Sequence, residues 1–549
     1  MDTLAARPYD LLVVGGGITG AGIARDAAMR GLRTALVEAR DLGWGTSSRS
    51  SRLIHGGLRY LEQGHLALVR EASRERQVLL RIAPHLVRPL AFVFPVHRGD
   101  RVPLWKLAAG LLVYDLLAPL RNVRRHRILG KRALLAEEPM LRERGLVGGA
   151  RYWDAQCDDA RLVVATARSA ALHGADVATY TSVIGLERGG GQVRGAVVED
   201  EDGVHGLVRA AVVVNATGPW ADELRRLEDS GAAPLLRRTR GAHVVVRRAR
   251  LGHTSAITLT SPIDGRLMFV LPWGEFSYIG TTDTDEPGPP GDTVAAVSDV
   301  HYLLRSANAA FPQAHLTEED VLAAWAGLRA LLDSGQALAP SAVSREHVIR
   351  RGPGGMLTIA GGKLTTYRAM AAELVDEVGA ELTRREGRPR LPHAPTDQEA
   401  LPGGEAADLG PMRQTVLDLG LAADTADHLL RHYGTEAAAI CNLGRHEPGL
   451  LARLHPEHPA IEAEVIHHAR RELVATVDDV LTRRIHLRYE TPDGGAAAAA
   501  RVAALLGREF GWDAGRVARE ADAGSRVSPG RRSAPPGAGA PPPPPAPPA

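Results

Sequence analysis

The first residues that could do chemistry are Gly15-Gly16-Gly17-Ile18-Thr19-Gly20, in which Gly15, Gly17 and Gly20 satisfy GxGxxG. The preceding run Leu11–Val14 is apolar throughout, as a parallel strand buried on both faces requires. After the glycines, Ala24, Ala27 and Ala28 keep a helix close to a sheet, Gly31 ends that helix, and Thr34–Val37 leads to Glu38. Such a turn lets a pyrophosphate approach a helix N-terminus, while a carboxylate some 20 residues on accepts from a ribose hydroxyl. The segment therefore predicts dinucleotide binding. Glu38 disfavours a phosphorylated ribose, which argues against NADP and leaves FAD and NAD open.

The elements that must position these residues follow from the chain as a whole. Its 549 residues, 24% charged and 44% hydrophobic, suffice for two or more full-sized cores. With Lys+Arg 66 against Asp+Glu 64, the net charge of +2 gives no reason to expect nucleic acid. Lysine occurs only at Lys106, Lys131 and Lys363 in an otherwise arginine-based basic set. The two cysteines, Cys157 and Cys441, share no spacing that suits a disulfide framework or a cysteine-rich metal site, and no residue is assigned to a metal. They suit a reducing compartment. No signal peptide is visible before Leu11, and the longest apolar stretch, Leu104–Leu120, is interrupted by Lys106 and Asp115.

Residues 9–382 alternate Val/Leu/Ile runs, helical stretches and Gly-rich turns, an α/β pattern, with strand-like segments at Val244–Arg247 and Met268–Leu271 forming an antiparallel insert. Past a polar, Pro-interrupted linker at 383–392, Ala/Leu/Arg/Glu-rich sequence predicts a separate helical domain, and the Pro-rich end predicts a disordered tail. Thr317–Leu322 reads on its own as a helix cap and first turn.

A second apolar run, Ala211–Val214, ends in Asn215-Ala216-Thr217-Gly218 and resembles the second FAD-contacting segment of flavoprotein oxidoreductases. With it stand Thr46–Glu62, Arg240–His243, Ile279–Asp283, Gly327–Arg329 and Gly361–Arg368. In order and spacing this set resembles the aerobic FAD-dependent glycerol-3-phosphate dehydrogenase family, from about Asp10 to Tyr367 and more weakly at Glu464–Leu487.

The resemblance implies an α/β glutathione-reductase-like FAD-binding domain (8–90, 150–235 and 345–385), an antiparallel substrate domain (91–149 and 236–344), a C-terminal helical domain (395–518) and a tail (519–549). It implies non-covalent FAD held by Gly15, Gly17, Gly20, Glu38, Thr46, Ser47, Ser48, His55, Gly57, Gly218, Gly362, Leu364 and Thr365. The implied reaction oxidises sn-glycerol 3-phosphate to dihydroxyacetone phosphate and passes electrons to a membrane quinone. Arg59 and Arg329 become the phosphate clamp, with Tyr60 beside them, His243 the first candidate for general base and His55 the second, and Lys363 a charge near flavin or substrate. Thr281 is expected along the pocket wall and Trp273 either there or in the ordinary core, and a strand is expected to run into Gly327, where Ala330 replaces the family's usual proline.

With a quinone acceptor, Leu104–Leu117 and the arginines that follow read as an interfacial helix on an anionic membrane, on the cytoplasmic side. Alternatives are an oxygen-using glycerol-3-phosphate oxidase, an FAD amine or amino-acid oxidase, and a flavin-binding sensor or interaction protein. Dimerisation, partner docking and stabilisation are all open as roles of the helical domain.

Overall fold

The computed structural model describes residues 2–57, 64–117, 124–291, 293–333 and 346–526. A parallel sheet forms the first unit, in the order His347–Arg351, Leu357–Gly361, His205–Asn215, Tyr9–Val14, Thr34–Val37, Asp176–Ala178. Only the edge strand His347–Arg351 runs antiparallel along this path. Leu11, Leu12 and Val13 are fully buried because helices cover one face and the antiparallel strands Thr181–Gly189 and Gln192–Asp200 extend over the other. The helix Ile18–Met29 packs against Asp159–Leu172 and Tyr367–Glu386. Gly22 makes that possible, since a Cβ there would stand 2.9 Å from the Tyr367 ring.

The second unit is a ten-stranded, mainly antiparallel sheet. Leu236–Arg247 pairs on one side with Phe276–Gly280 and Thr284–Asp285 and on the other with Val321–Leu332. Val87–His97 and Leu146–Cys157 pair with each other along their lengths in this sheet, so the divisions expected at 90/91 and 149/150 fall inside strands. At Thr317 both local and family readings apply: Glu318–Asp320 is a single capped 3-10 turn, and Val321–Leu332 then runs as a strand through Gly327.

Helices from Gly410 to Ser525 and the hairpin Arg453–Ile461 build the C-terminal block around Leu429, Ile440, Ile466, Val477, Leu481 and Val502. The expected tail starts too early. Ala514–Ser525 is helical and packs at Gly524, where a Cβ would lie 2.4 Å from Val477. The Pro-rich remainder, 527–549, lies outside the described residues.

Buried ion pairs join this block to the first unit. Arg484 donates to both oxygens of Asp41 at 2.8 and 2.9 Å, and Arg161 donates to Glu472 at 2.7 Å. Removing one partner of such a pair leaves an uncompensated buried charge, which costs about 3–5 kcal/mol.

Candidate active site

A cavity of about 1480 Å³ lies between the two sheets, from Glu38 and Arg40 at one end to His243 and Arg329 at the other. Its first end is shaped by backbone. Gly15 has φ +111°, and a Cβ there would stand 2.7 Å from Ala216 O; a Cβ on Gly20 would stand 1.8 Å from Gly15 O. Gly20 is thus not part of the cavity wall but allows helix and loop to touch.

The Glu38 carboxylate accepts from Gly16 N at 2.6 Å and Arg40 N at 2.9 Å. Burial pushes its pKa up against the pull of these two donors. Ser47 Oγ accepts from Ile18 N at 3.0 Å, and Thr46 Oγ1 donates to Leu328 O at 2.5 Å. Ser48 is buried behind this wall and does not line the cavity. Gly15, Gly17, Glu38, Thr46, Ser47, His55, Gly57 and Gly218 all do.

Farther along, strand Leu357–Gly361 ends in two left-handed glycines, Gly361 at φ +79° and Gly362 at +84°. These turn the chain through Lys363 into Leu364–Thr366 and then the helix Tyr367–Glu386. His55 N donates to Thr365 Oγ1 at 3.2 Å, clasping the two cavity-lining segments together. Gly362, Lys363, Leu364 and Thr365 face the cavity, where a positive helix end favours an electron-rich ring.

At the other end, His243 is 2% exposed. Its Nε2 is 2.9 Å from Ser51 Oγ, and its ring stacks on Trp325 at 5.0 Å. Gly280 makes room, because a Cβ there would lie 2.1 Å from the imidazole. Burial, then Arg329 and Arg52, push the His243 pKa down to about 3. At neutral pH the imidazole is uncharged, the form a general base needs.

Arg329 donates to Asp283 Oδ1 at 3.0 Å, Thr281 Oγ1 at 2.8 Å and Thr282 O at 3.1 Å. Asp283 Oδ2 also pairs with Arg266 at 3.0 Å. Two guanidinium groups therefore share the buried Asp283 carboxylate on the cavity wall, which sets two arginine forks where an anion could be held.

Thr281 lines the cavity, and of the two readings of Trp273 the core one holds: it stacks on Tyr278 and donates to Glu490 at 2.9 Å. Arg59 and Tyr60 lie outside the described residues. Ser51, Asp283, Arg266 and Trp325 were not singled out from sequence. Ser51 and Asp283 stand within the motif strings, but hydroxyl and carboxylate roles there depend on cross-strand contacts. Arg266 had no signal in a chain so rich in arginine.

Comparisons with known proteins give the family of the chain. The FAD dependent oxidoreductase family matches residues 10–368, and the C-terminal domain of alpha-glycerophosphate oxidase matches 394–517. Glycerol-3-phosphate dehydrogenase 2 of Mycobacterium tuberculosis is 38% identical over 524 residues, covering 94% of this chain and 87% of its own. The mitochondrial glycerol-3-phosphate dehydrogenase of Homo sapiens is 36% identical, covering 92% of this chain and 71% of its own. The crystal structure of glycerol-3-phosphate dehydrogenase from Bacillus halodurans, complexed with FAD, superposes with a TM-score of 0.78 at 30% identity and 95% coverage of both chains. An L-alpha-glycerophosphate oxidase from Mycoplasma pneumoniae, at 18% identity and a TM-score of 0.56, shares the fold.

Proposed function

The chain belongs to the FAD-dependent glycerol-3-phosphate dehydrogenase family, and from that premise we propose that it oxidises sn-glycerol 3-phosphate to dihydroxyacetone phosphate and delivers the electrons to a membrane quinone. A single observation carries the reading: one cavity joins the Gly15–Glu38 dinucleotide cradle to a neutral buried histidine and an arginine pair.

The cradle fits FAD on its own geometry, since a side chain at Gly15 or Gly20 would collide with the loop and Glu38 is already braced by two N–H donors. Bound FAD supplies a hydride acceptor at flavin N5. The residues of the chain do the rest. Arg329, with Arg266 behind the shared Asp283, holds the substrate phosphate. His243, its ring fixed between Ser51 and Trp325, takes the C2 hydroxyl proton as the C2 hydrogen leaves with its electron pair. Lys363 and the turn after it place positive charge along the same wall.

Among the described residues no helix is long and apolar enough to cross a membrane. The helix Leu104–Leu117 nevertheless shows an apolar stripe, with Trp105 74%, Leu112 55% and Leu116 71% exposed. Its other flank lines the cavity through Lys106, Ala109, Gly110 and Val113. Tyr114 anchors it by accepting from Gly56 N at 3.0 Å and donating to Asp154 at 2.8 Å. A helix with one face outward and one on the active cavity suits a surface through which a lipid-borne quinone arrives.

The test measures quinone reduction and peroxide formation in one assay, with and without anionic liposomes. Quinone reduction that rises on liposomes, and falls when Trp105, Leu112 and Leu116 are replaced by serine, is the expected result. Peroxide as the main product would establish an oxidase instead.

A further inference from the structure

Outside the cavity, the seam between the FAD-binding unit and the C-terminal block holds a cluster with a different chemistry. Asp158 caps the helix Asp159–Leu172 by accepting from Arg161 N at its Oδ1, 3.1 Å away. Its Oδ2 faces the C-terminal block, 2.8 Å from His486 Nε2 and 3.6 Å from His432 Nε2. Asp158, His432 and His486 are 4%, 6% and 1% exposed, and their facing atoms all lie within 4.8 Å of one another.

The other nitrogen of each ring is held by a backbone carbonyl. His432 Nδ1 is 3.0 Å from His428 O, and His486 Nδ1 is 3.1 Å from Thr482 O. A carbonyl oxygen can only accept, so each Nδ1 carries the hydrogen. A neutral imidazole then presents a lone pair at Nε2. The Nε2 atoms of both rings and the Asp158 carboxylate oxygen thus converge on one buried point at the seam, a donor set that a cation would complete.

A proton on His486 would serve its contact with Asp158 and leave His432 facing the same oxygen without a donor. A metal ion serves all three. The Nδ1–H to backbone carbonyl contact is also the arrangement that orients a ligating histidine. Of the nearby cations, Arg161 donates through both terminal nitrogens to Glu472, and Arg52 pairs with Asp159 at 3.5 Å.

We infer that Asp158, His432 and His486 form a structural site for a divalent transition metal of the zinc class, clamping the C-terminal block to the FAD-binding unit. Two imidazoles and one carboxylate suit zinc, cobalt or nickel, whereas calcium and magnesium require oxygen-rich shells. None of the three residues lines the active cavity, so the ion has a structural role and no part in the redox step.

The experiment uses untagged holoenzyme, incubated with Zn²⁺ or Co²⁺, passed through gel filtration and analysed for metal by mass spectrometry. Retained stoichiometric metal, visible absorption from bound Co²⁺, and a higher Tm than metal-stripped protein are expected. His432→Gln, His486→Gln and Asp158→Asn should each lose the metal, with flavin absorbance reporting that the chain is folded. Should all three fail to fold, the Co²⁺ spectrum of the unsubstituted protein decides, through bands from imidazole ligation. Wild-type protein that retains no metal after loading would overturn the inference and assign a proton to the pair. Metal retained undiminished by the folded variants would overturn it too, by placing the ion elsewhere.

Discussion

His243 and Trp325 lie directly opposite each other on paired antiparallel strands, and their rings stack at 5.0 Å with planes 14° apart. The indole also meets Tyr278 edge-on at 4.9 Å and Tyr489 of the C-terminal block at 5.3 Å. The proposed base therefore rests on an aromatic layer that the helical domain completes. His243→Asn should slow flavin reduction by roughly 10²–10⁴-fold with flavin content unchanged. Trp325→Leu should lower kcat more than it raises KM, because it frees the ring without touching substrate. Steady-state and anaerobic stopped-flow rates check both.

The charge state of His243 has a pH consequence. Burial, reinforced by Arg329 and Arg52, holds its pKa near about 3, below the value of about 6.5 in an unfolded chain. Its folded form thus binds fewer protons than its unfolded form between those limits. The associated stability is fully present above the unfolded pKa and falls as pH drops toward the folded one, by about 1.4 kcal/mol per pH unit. Denaturant midpoints measured between about pH 4 and 7 should show a shallower acid-side loss in His243→Gln than in wild type. An unchanged slope would mean that this histidine is charged in the fold.

Lys363 and Lys131 provide a matched comparison. Lys131 makes a surface ion pair with Glu143 at 2.9 Å, with both side chains largely exposed, and such pairs contribute about 0–1 kcal/mol. Lys363 faces the cavity after two left-handed glycines, where a planar guanidinium has a different shape and reach from a compact ammonium. Lys363→Arg should strongly impair flavin reduction, and Lys131→Arg should leave it unchanged. Near-wild-type turnover in Lys363→Arg would return that lysine to a surface role.

Asp283 pairs with both arginines of the proposed phosphate end. Asp283→Asn removes the carboxylate that orients Arg329 and Arg266, and although the local positive charge rises, forks out of place should weaken phosphate binding by roughly tenfold to hundredfold. KM for glycerol 3-phosphate should rise by that factor with a smaller change in kcat. An unaltered KM would remove Arg329 from the phosphate clamp.

The parts of this molecule legible in sequence were those written in contiguous residues. Leu11–Val14, the GxGxxG turn and Glu38 announce strand, cradle and acidic partner because each depends on its chain neighbours. Likewise, the turn at Gly361-Gly362-Lys363 is implied by the resemblance because the motif is contiguous. What escaped depends on pairing across strands. Trp325 reaches His243 only through the register of Val321–Leu332 with Leu236–Arg247, and Arg266 gains its meaning only beside Asp283. Sequence leaves Trp273 open between pocket wall and core, because its indole N–H is satisfied by Glu490 from a domain more than two hundred residues away in the chain. The tail was placed too early because the polar helix Ala514–Ser525 buries little beyond Gly524, giving a weak apolar pattern.

Anaerobic mixing of the purified flavoprotein with glycerol 3-phosphate tests the proposed activity most directly, with flavin absorbance as the signal. Bleaching at millimolar substrate, abolished in His243→Asn on the same timescale, is the predicted result. A flavin that stays oxidised in the wild-type protein under those conditions would contradict the account.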